Sequence, residues 1–371
     1  MGWGPQRGVT AAPHGPDTAA PAARSRCSRY RDPMKSSRTL RAAVPAVGTL
    51  AVLLVSSASA LRASPDAEGP AERMARRASA MLAALSDGQS VAARAAHDDP
   101  ERTQWAFGPV QREGIKVGDL DDGQVEALEA LLDTALSDAG MTMWRQVQQL
   151  ESELRRMEST PERVATHRDP DLYWLRVYGT PGEAQRWSWR FEGHHLALHV
   201  DCRPDRVPSV TPFFIGARPT LRETETGTES TVNVFGALNR AYRAAVAEGG
   251  DALPPSERPR PRDIRMGPGK DELPPEDGVR FADLEPAVRA KLKGMLTAYL
   301  SMLDPSLRTP YEFDPERAAA VRFVRWGGEA LEGPRAWTLL TPRFALELFT
   351  TDGPGHVHAV LRDVDRDFGG K

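Results

Sequence analysis

The chain has 371 residues, of which 40% are hydrophobic and 27% are charged, with a formal net charge of −3. This balance is normal for a globular protein, and it excludes a protein built of many membrane spans. The near-neutral charge provides no basic footprint, so a nucleic-acid partner is not expected. Two cysteines, Cys27 and Cys202, are too few for a disulfide framework.

The first sixty residues are typical of a leader and not of a folded unit. Residues 1–33 have no periodicity, and we predict that they are not part of the true product, which starts at Met34. A basic start, a short apolar run and small residues up to Ala60 predict a cleaved signal peptide over 34–60. We therefore expect export to the periplasm or the extracellular space, with no membrane span in the mature chain. An uncleaved anchor is the alternative.

Helices are predicted first after the leader, and strands follow them. Apolar residues recur at helical spacing in three segments, and Asp121 and Asp122 are capping candidates for the middle one. These predicted helices are 70–96, 125–136 and 141–157. A period of two then predicts strands. The predicted strands are 105–107, 172–178, 186–192, 195–201 and 208–215.

The second half of the chain repeats this order of helix and hairpin. A shift of 164 positions carries Asp119, Leu128 and Leu132 onto Asp283, Leu292 and Leu296. A shift of 148 positions carries Gly179, Trp189 and Leu198 onto Gly327, Trp337 and Leu346. We therefore predict an α+β fold made of two diverged copies of a helix-helix-antiparallel-strand unit. The copies are residues 61–248 and 279–371, joined by a Pro/Gly-rich surface connector at 249–278. The sequence leaves open whether the strands form one shared sheet or two.

Several sequence blocks resemble a known family. They include Glu192-Gly193-His194-His195, and the ending His356-Val357-His358 with Arg362-Asp363 and Asp367-Phe368-Gly369. Together they are similar to the domain-of-unknown-function family numbered three thousand five hundred, over roughly residues 70 to 371. The resemblance implies a fold and the place of a site, and it implies no reaction.

The histidines of these blocks are the candidate metal ligands. His356 and His358 are two apart on a predicted strand, so both imidazoles point to one face and can bind one divalent transition metal. His194, His195 and Asp363 are the further candidate ligands. We predict that the Glu192–His195 block meets the last strand. Strand alternation also predicts that Glu192 and His199 lie on opposite faces.

Two classes of function remain open from these residues. In a metal-assisted hydrolase or an oxidative enzyme, Glu192 would be the general base, and Arg190 or Arg362 would bind an anionic group of the substrate. In a binding protein, the same site would hold a metal or a small-molecule ligand without turnover. The further alternatives are a metal-free polar pocket, and histidines that have only a structural role. The sequence does not determine the substrate or the oligomeric state.

Overall fold

Capping residues in the sequence determine where the first helices begin. In the computed structural model, Asp121 caps one helix by accepting a hydrogen bond from the backbone of Gln124, whose side chain bonds back to Asp121. Ser86 and Gln89 form a second such capping box. It starts a new helix, so the single helix predicted over 70–96 is instead two.

The structure describes residues 68–157, 168–224, 227–230, 232, 234–316, 318–327, 335–350 and 355–370. The predicted leader therefore lies outside the described residues. Within them the helices are α1 Pro70–Ala83, α2 Asp87–Ala93, α3 Asp122–Leu132, α4 Asp138–Met157, α5 Gly236–Gly249 and α6 Pro286–Leu300. No helix in this part of the chain has the length and the apolar character needed to cross a membrane.

The strands follow the predicted order, with one exception. They are β1 Arg94–Ala95, β2 Ile115–Lys116, β3 Tyr173–Tyr178, β4 Trp187–Gly193, β5 Leu196–Arg203, β6 Arg206–Ser209, β7 Phe213–Ala217, β8 Leu221–Thr224, β9 Gly227–Ser230, β10 Val279–Arg280, β11 Arg322–Trp326, β12 Ala336–Leu340, β13 Ala345–Thr350 and β14 Val357–Arg362. The exception is 105–107, which was predicted as a strand and is a loop. Trp105 in this loop packs on Phe214, so its apolar character comes from burial and not from strand pairing.

One large sheet runs through both halves of the chain, which answers the question that the sequence left open. Its order is β1-β3-β4-β5-β7-β14-β13-β12-β11-β10, with β2 on β3 and β6 on β5. The pairing of β1 with β3 is parallel, and the other pairs of this sheet are antiparallel. The α+β class is confirmed. The middle of the sheet is the pairing of β7 with β14, where the two halves of the chain meet.

The two faces of the sheet are covered differently. One face packs against the helices and forms the main apolar core, which includes Met74, Leu128, Val147, Trp189, Leu198, Phe213, Leu292 and Leu361. The other face is covered by loops. It combines a smaller apolar cluster with buried polar residues, among them Glu192, His199, Thr338, Glu347 and Arg362.

The stretch 249–278 is one of the covering loops. Ile264 and Met266 are buried in the smaller apolar cluster, and the backbone amides of Arg265 and Met266 donate to the Glu347 carboxylate. The prediction of a plain surface connector was therefore too simple. This stretch closes the second face of the sheet, and the site described below uses one of its residues.

Candidate functional site

The site begins at the turn between β4 and β5, which consists of His194 and His195. His195 adopts a left-handed backbone conformation with φ of +65°, which few non-glycine residues adopt. Its amide donates to the carbonyl of Phe107, and its carbonyl accepts from Gly216 on β7. The turn is therefore held between a covering loop and the central strand β7.

Two more contacts fix this turn from its other sides. The hydroxyl of Tyr173 donates to the carbonyl of His194 over 3.0 Å, and Arg112 donates to the carbonyl of Gly193 over 3.1 Å. A turn with its carbonyls bonded in this way holds its side chains in place before any ligand arrives. The two imidazoles, His194 and His195, stack with their ring centroids 3.7 Å apart.

The histidine cluster consists of His195, His356 and His358, which meet across the middle of the sheet. His356 directly precedes β14 and His358 lies within it, so both reach the same side as the sequence predicted. The Nε2 atoms of His195 and His356 are 3.0 Å apart. One nitrogen from each of the three rings lies within 4.8 Å of the others. The structure thus brings the predicted turn and the predicted last strand together.

Gly216 provides the space for this meeting. It pairs with His358 in the sheet register, and a Cβ atom built on it would lie 2.5 Å from Cδ2 of the His195 ring. Such a contact is far shorter than a van der Waals contact between carbons. A side chain at position 216 would therefore displace His195 from the histidine cluster.

The surroundings keep His195 neutral and orient the ring of His358. His195 is 1% exposed and His358 is 4% exposed. Burial, and then the neighbouring imidazoles, hold the pKa of His195 well below its usual value, so its ring is unprotonated near neutral pH. Asp263 lies 2.8 Å from Nδ1 of His358. A carboxylate in this position keeps the proton on Nδ1 and directs the Nε2 lone pair into the cluster.

Nε2 of His358 and Nδ1 of His195 are buried and have no hydrogen-bond partner among the described residues. An unsatisfied buried polar atom costs about 1 to 3 kcal/mol, so a group of this kind in a native protein calls for an ion or a water. Phe107 and Phe214 pack edge-on against His358 and surround this side of the cluster with apolar rings.

A second group of potential ligands adjoins the first. The Glu151 group consists of Glu151, His194 and His195, with one donor atom from each residue within 4.8 Å of the others. Glu151 Oε1 lies 2.5 Å from Nδ1 of His194 and 4.0 Å from Nδ1 of His195. Burial, and then the positive charge of Arg168, hold the pKa of His194 well below its usual value. The Glu151 group therefore offers one carboxylate and two neutral imidazoles.

A narrow cleft leads to the Glu151 group from the surface. Its lining includes Pro109, Val110, Trp174 and Leu172, together with Glu151 and His194 at its inner end. The cleft has a volume of about 10 Å³, which is room for about one water molecule. Solvent or a small ion can thus reach His194 and Glu151.

Glu192 belongs to a different arrangement, the carboxylate network of Glu192, His199 and Arg112. His199 Nε2 lies 2.7 Å from one Glu192 oxygen, and Arg112 donates to the other over 3.2 Å. Glu192 and His199 therefore share a face, and the prediction of opposite faces was wrong. The turn at His194 and His195 reverses the chain, so the alternation restarts at β5 and Glu192 lies opposite Ala197.

The carboxylate network holds Glu192 as an ion. Burial raises the pKa of Glu192, but the hydrogen bond from His199 and the charges of Arg190 and Arg112 outweigh it, and the pKa is lowered overall. Within the described part of the chain, Glu192 is not in either group of potential metal ligands. Its position does not fit a general base for a metal-bound water.

The other predicted residues lie elsewhere on the loop-covered face. Arg190 donates to Glu101 over 2.5 Å, and Arg362 donates to Asp367 over 2.5 Å. Asp363 pairs with Arg343 at 2.9 Å and lies five residues after His358, about 16 Å along the strand direction. These side chains are bonded within the protein and do not join the histidine cluster.

Glu151 and Asp263 are the site residues that the sequence analysis missed. Glu151 had a readable signal, because it lies at helical spacing with Val147, Leu150 and Leu154 on the buried stripe of α4. An acidic residue on such a stripe needs a partner in the interior. Asp263 had no such signal, since it lies in a Pro-rich stretch without periodicity.

The spacing in the histidine cluster fits a metal ion. Two nitrogens bound at 2.0–2.1 Å on a tetrahedral ion are roughly 3.3 Å apart. The 3.0 Å between the Nε2 atoms of His195 and His356 is close to that spacing. Three imidazoles form a ligand set for zinc, copper, nickel or iron.

A family model described as "Protein of unknown function (DUF3500)" matches residues 67–370 of the chain. The match includes the turn, the last strand and Glu151. Neither the curated proteins nor the solved structures include a match to this chain.

Proposed function

This chain belongs to the DUF3500 family, and we propose that it is a metal-binding protein whose histidine cluster holds one divalent transition metal. The observation that carries the proposal is the convergence of three imidazoles, two of them buried and that of His356 partly exposed, with two Nε2 atoms 3.0 Å apart. The Nε2 atom of His358 has no other partner among the described residues. A metal bound here would satisfy that nitrogen and join the two halves of the sheet.

The protonation states support metal binding. A metal binds the lone pair of a neutral imidazole, and a low pKa keeps His195 neutral even in mild acid. Asp263 fixes the tautomer of His358 that presents Nε2. The ligands are all nitrogen atoms, which favours Zn²⁺ or Cu²⁺ over Mg²⁺ or Ca²⁺.

We propose metal binding and not a particular reaction. Three protein ligands leave a fourth position where a water can bind and become a nucleophile. However, both oxygens of Glu192 are bonded by His199 and Arg112, so the sequence-based hydrolase with Glu192 as base gains no support. The proposed function is therefore a metal centre, with any turnover to be measured after the metal is known.

The test is elemental analysis of the full chain, purified without a polyhistidine tag and compared with two variants. His358→Gln removes one imidazole of the histidine cluster and keeps a side chain of similar length. His199→Gln is the matched control, because His199 is an equally buried histidine of the same sheet that is in neither ligand group. We expect His358→Gln to hold one metal equivalent fewer than the wild type, and His199→Gln to hold the wild-type amount.

Two results would contradict the proposal. One is a wild-type chain that takes up no zinc or copper after dialysis against either ion. The other is metal that is retained unchanged in a folded His358→Gln variant. Far-UV circular dichroism of each variant identifies any loss of metal that comes from unfolding.

Export is a further part of the proposal, and residues 34–60 support it by their basic start, apolar run and Ala58-x-Ala60 end. An exported metal protein would take up its ion outside the cytoplasm. Mass spectrometry of the protein from a bacterial host tests this. We expect a mature chain that begins after Ala60, and a chain that keeps residues 34–60 would contradict it.

We also infer that the two halves of the sheet are diverged copies of one unit. The same shift of 148 positions carries the β4–β5 pair Trp189 and Val200 onto the β12–β13 pair Trp337 and Leu348. A chance repeat of residues would not preserve the register. Superposition of the two halves in a crystal structure tests this, and a fit no better than that of unrelated hairpins would contradict it.

A further inference from the structure

We propose that Glu151, His194 and Nδ1 of His195 form a second metal site, so that His195 bridges two metal ions through its two ring nitrogens. The inference rests on the proposed function of the histidine cluster, because the two sites share His195. It adds a second metal ion and makes Glu151 one of the ligands of that ion. It also explains why this histidine occupies an unfavourable backbone conformation between two groups of ligands.

The first observation is the state of Nδ1 of His195. This nitrogen is buried and has no hydrogen-bond partner in the described part of the chain. Glu151 Oε1 is its near neighbour at 4.0 Å, which is too far for a hydrogen bond. An ion between the two atoms would satisfy the nitrogen. His195 is 1% exposed and does not line the cleft, so bulk water does not satisfy this nitrogen.

The second observation is the spacing around Glu151. Its Oε1 is 2.5 Å from Nδ1 of His194 and 4.0 Å from Nδ1 of His195. Ligand atoms on one tetrahedral ion are roughly 3.3 Å apart. A movement of the carboxylate oxygen by less than about 1 Å, away from His194 and towards His195, would bring both distances to that spacing. When Nδ1 of His194 binds the metal, the one proton of this neutral ring lies on Nε2, so His194 itself releases no proton.

The cleft provides access and an open position. It ends at Glu151 and His194 and has room for about one water. A catalytic or exchangeable metal site needs such a position, because three protein ligands do not complete a tetrahedral shell. The cleft is lined by Glu151 and His194 and not by the histidines of the last strand, so it serves the second site.

Charged side chains near the second site both oppose and favour the binding of a cation there. Arg168 Nη1 lies 3.3 Å from Nδ1 of His194, and its charge opposes a cation there. Glu151 brings the compensating negative charge. Arg112 also lines the cleft, but it is paired with Glu192. A histidine that binds metal on both nitrogens has lost its N–H proton, so it contributes a second negative charge. Loading the second ion therefore releases one proton to solvent.

The experiment is a zinc titration of the metal-free full chain, followed by removal of unbound zinc and elemental analysis. We expect two equivalents in the wild type. Glu151→Gln should hold one equivalent, because an amide of the same shape lacks the charge, and His358→Gln should also hold one. The double variant should hold none. In weakly buffered solution, the second equivalent should release one proton from the wild type and none from Glu151→Gln.

Copper provides a second readout that does not depend on the variants. Two Cu²⁺ ions joined by one imidazolate couple magnetically, so the wild type should show a weakened or split paramagnetic resonance signal. Glu151→Gln should show the ordinary signal of a single Cu²⁺. If Glu151→Gln does not fold, His194→Gln removes another ligand of the same site and takes its place.

The outcomes separate this inference from the proposed function. One equivalent that is kept in Glu151→Gln and lost in His358→Gln would overturn the second site and leave the histidine cluster as the metal centre. One equivalent lost in Glu151→Gln and kept in His358→Gln would overturn both the bridge and the proposed use of His358. Absence of metal from the wild type would overturn both proposals.

Discussion

Two sets of buried polar side chains lie on the loop-covered face of the same sheet, and they differ in how their polar atoms are bonded. In the carboxylate network, both oxygens of Glu192 are bonded, and every nitrogen of Arg112 donates a hydrogen bond. In the histidine cluster, Nε2 of His358 and Nδ1 of His195 have no partner among the residues described. Glu192 of the first set and His195 of the second are only three residues apart in sequence.

This difference is informative because burial alone does not mark a functional site. A network whose members satisfy one another has no bond left for a ligand, and its removal is expected to affect folding. A buried group with unsatisfied nitrogens costs stability unless an ion or a water completes it. We therefore infer that Glu192 stabilises the fold and that the histidines bind a ligand.

The largest expected effect concerns stability and tests the structural half of this comparison. Glu192→Gln removes the charge that compensates Arg112 and Arg190, each with a side chain only 3% exposed. Loss of one partner from a buried ion pair costs about 3 to 5 kcal/mol. Urea unfolding of the metal-free protein should show a decrease of that size.

The control for this variant is Glu129→Gln, which removes the partly exposed partner of the half-exposed Arg145. That change should alter the free energy of unfolding by less than about 1 kcal/mol. Metal content per folded Glu192→Gln molecule should equal that of the wild type. A variant that is as stable as the wild type but loses its metal would place Glu192 in the site and end the distinction.

A smaller effect is expected at Asp263, which contacts the histidine cluster from outside. Asp263→Asn keeps the shape of the side chain but weakens the bond that fixes Nδ1 of His358. Loss of such a carboxylate typically lowers metal affinity by roughly 10- to 100-fold. Competition with a chelator should show this decrease, while Asp251→Asn, an exposed change in the same covering stretch, should leave affinity unaltered. Equal affinity in both variants would refute a role for Asp263.

The smallest expected effect is a pH dependence of the free energy of unfolding, and it comes from Asp363. This residue was predicted as a metal ligand, and it pairs with Arg343. Burial raises the pKa of Asp363 to about 6, above its unfolded value of 3.8. The folded state therefore takes up a proton between these values and the unfolded state does not, so this group adds stability as pH falls from 6 to 4. Asp363→Asn has no carboxyl to protonate, so its free energy of unfolding should not show this increase.

Unfolding measured at pH 7 and at pH 5 tests this. Relative to Asp363→Asn, the wild type should become more stable at the lower pH, by at most about 1.4 kcal/mol per pH unit. The variant should keep its metal at both pH values. Loss of metal from the folded variant would return Asp363 to the site, and an identical pH profile would show that its carboxyl titrates as in the unfolded chain.

The sequence best predicted the features that depend on a single helix or strand. The period of two gave the strands of the first hairpin to within about two residues, and the spacing of His356 and His358 placed both imidazoles on one side. The pairing of the two halves into one sheet depends on β7 meeting β14, and no local pattern encodes that contact.

The site, too, was predicted only where it depends on a local sequence pattern. The Glu192-Gly193-His194-His195 block indicated the right place, but the turn within it put Glu192 and His195 in separate arrangements. Asp263 reaches His358 from a segment without regular structure, across 95 positions of sequence. Such a contact follows from how loops cover a face, which is a property of the whole fold and not of a periodicity.

The position of β14 at the middle of the sheet also determines when the centre can form. His195 is made, and in the proposed export would cross the membrane, well before His356 and His358, and a chain folds in the order in which its parts become available. The first hairpin and the carboxylate network are complete in sequence by residue 203, whereas the three histidines of the cluster meet only after the last strand inserts beside β7. Binding of the proposed metal in the histidine cluster would thus come late in folding, and a chain that is truncated before β14 would have its first hairpin but only one of the three ligands of that cluster.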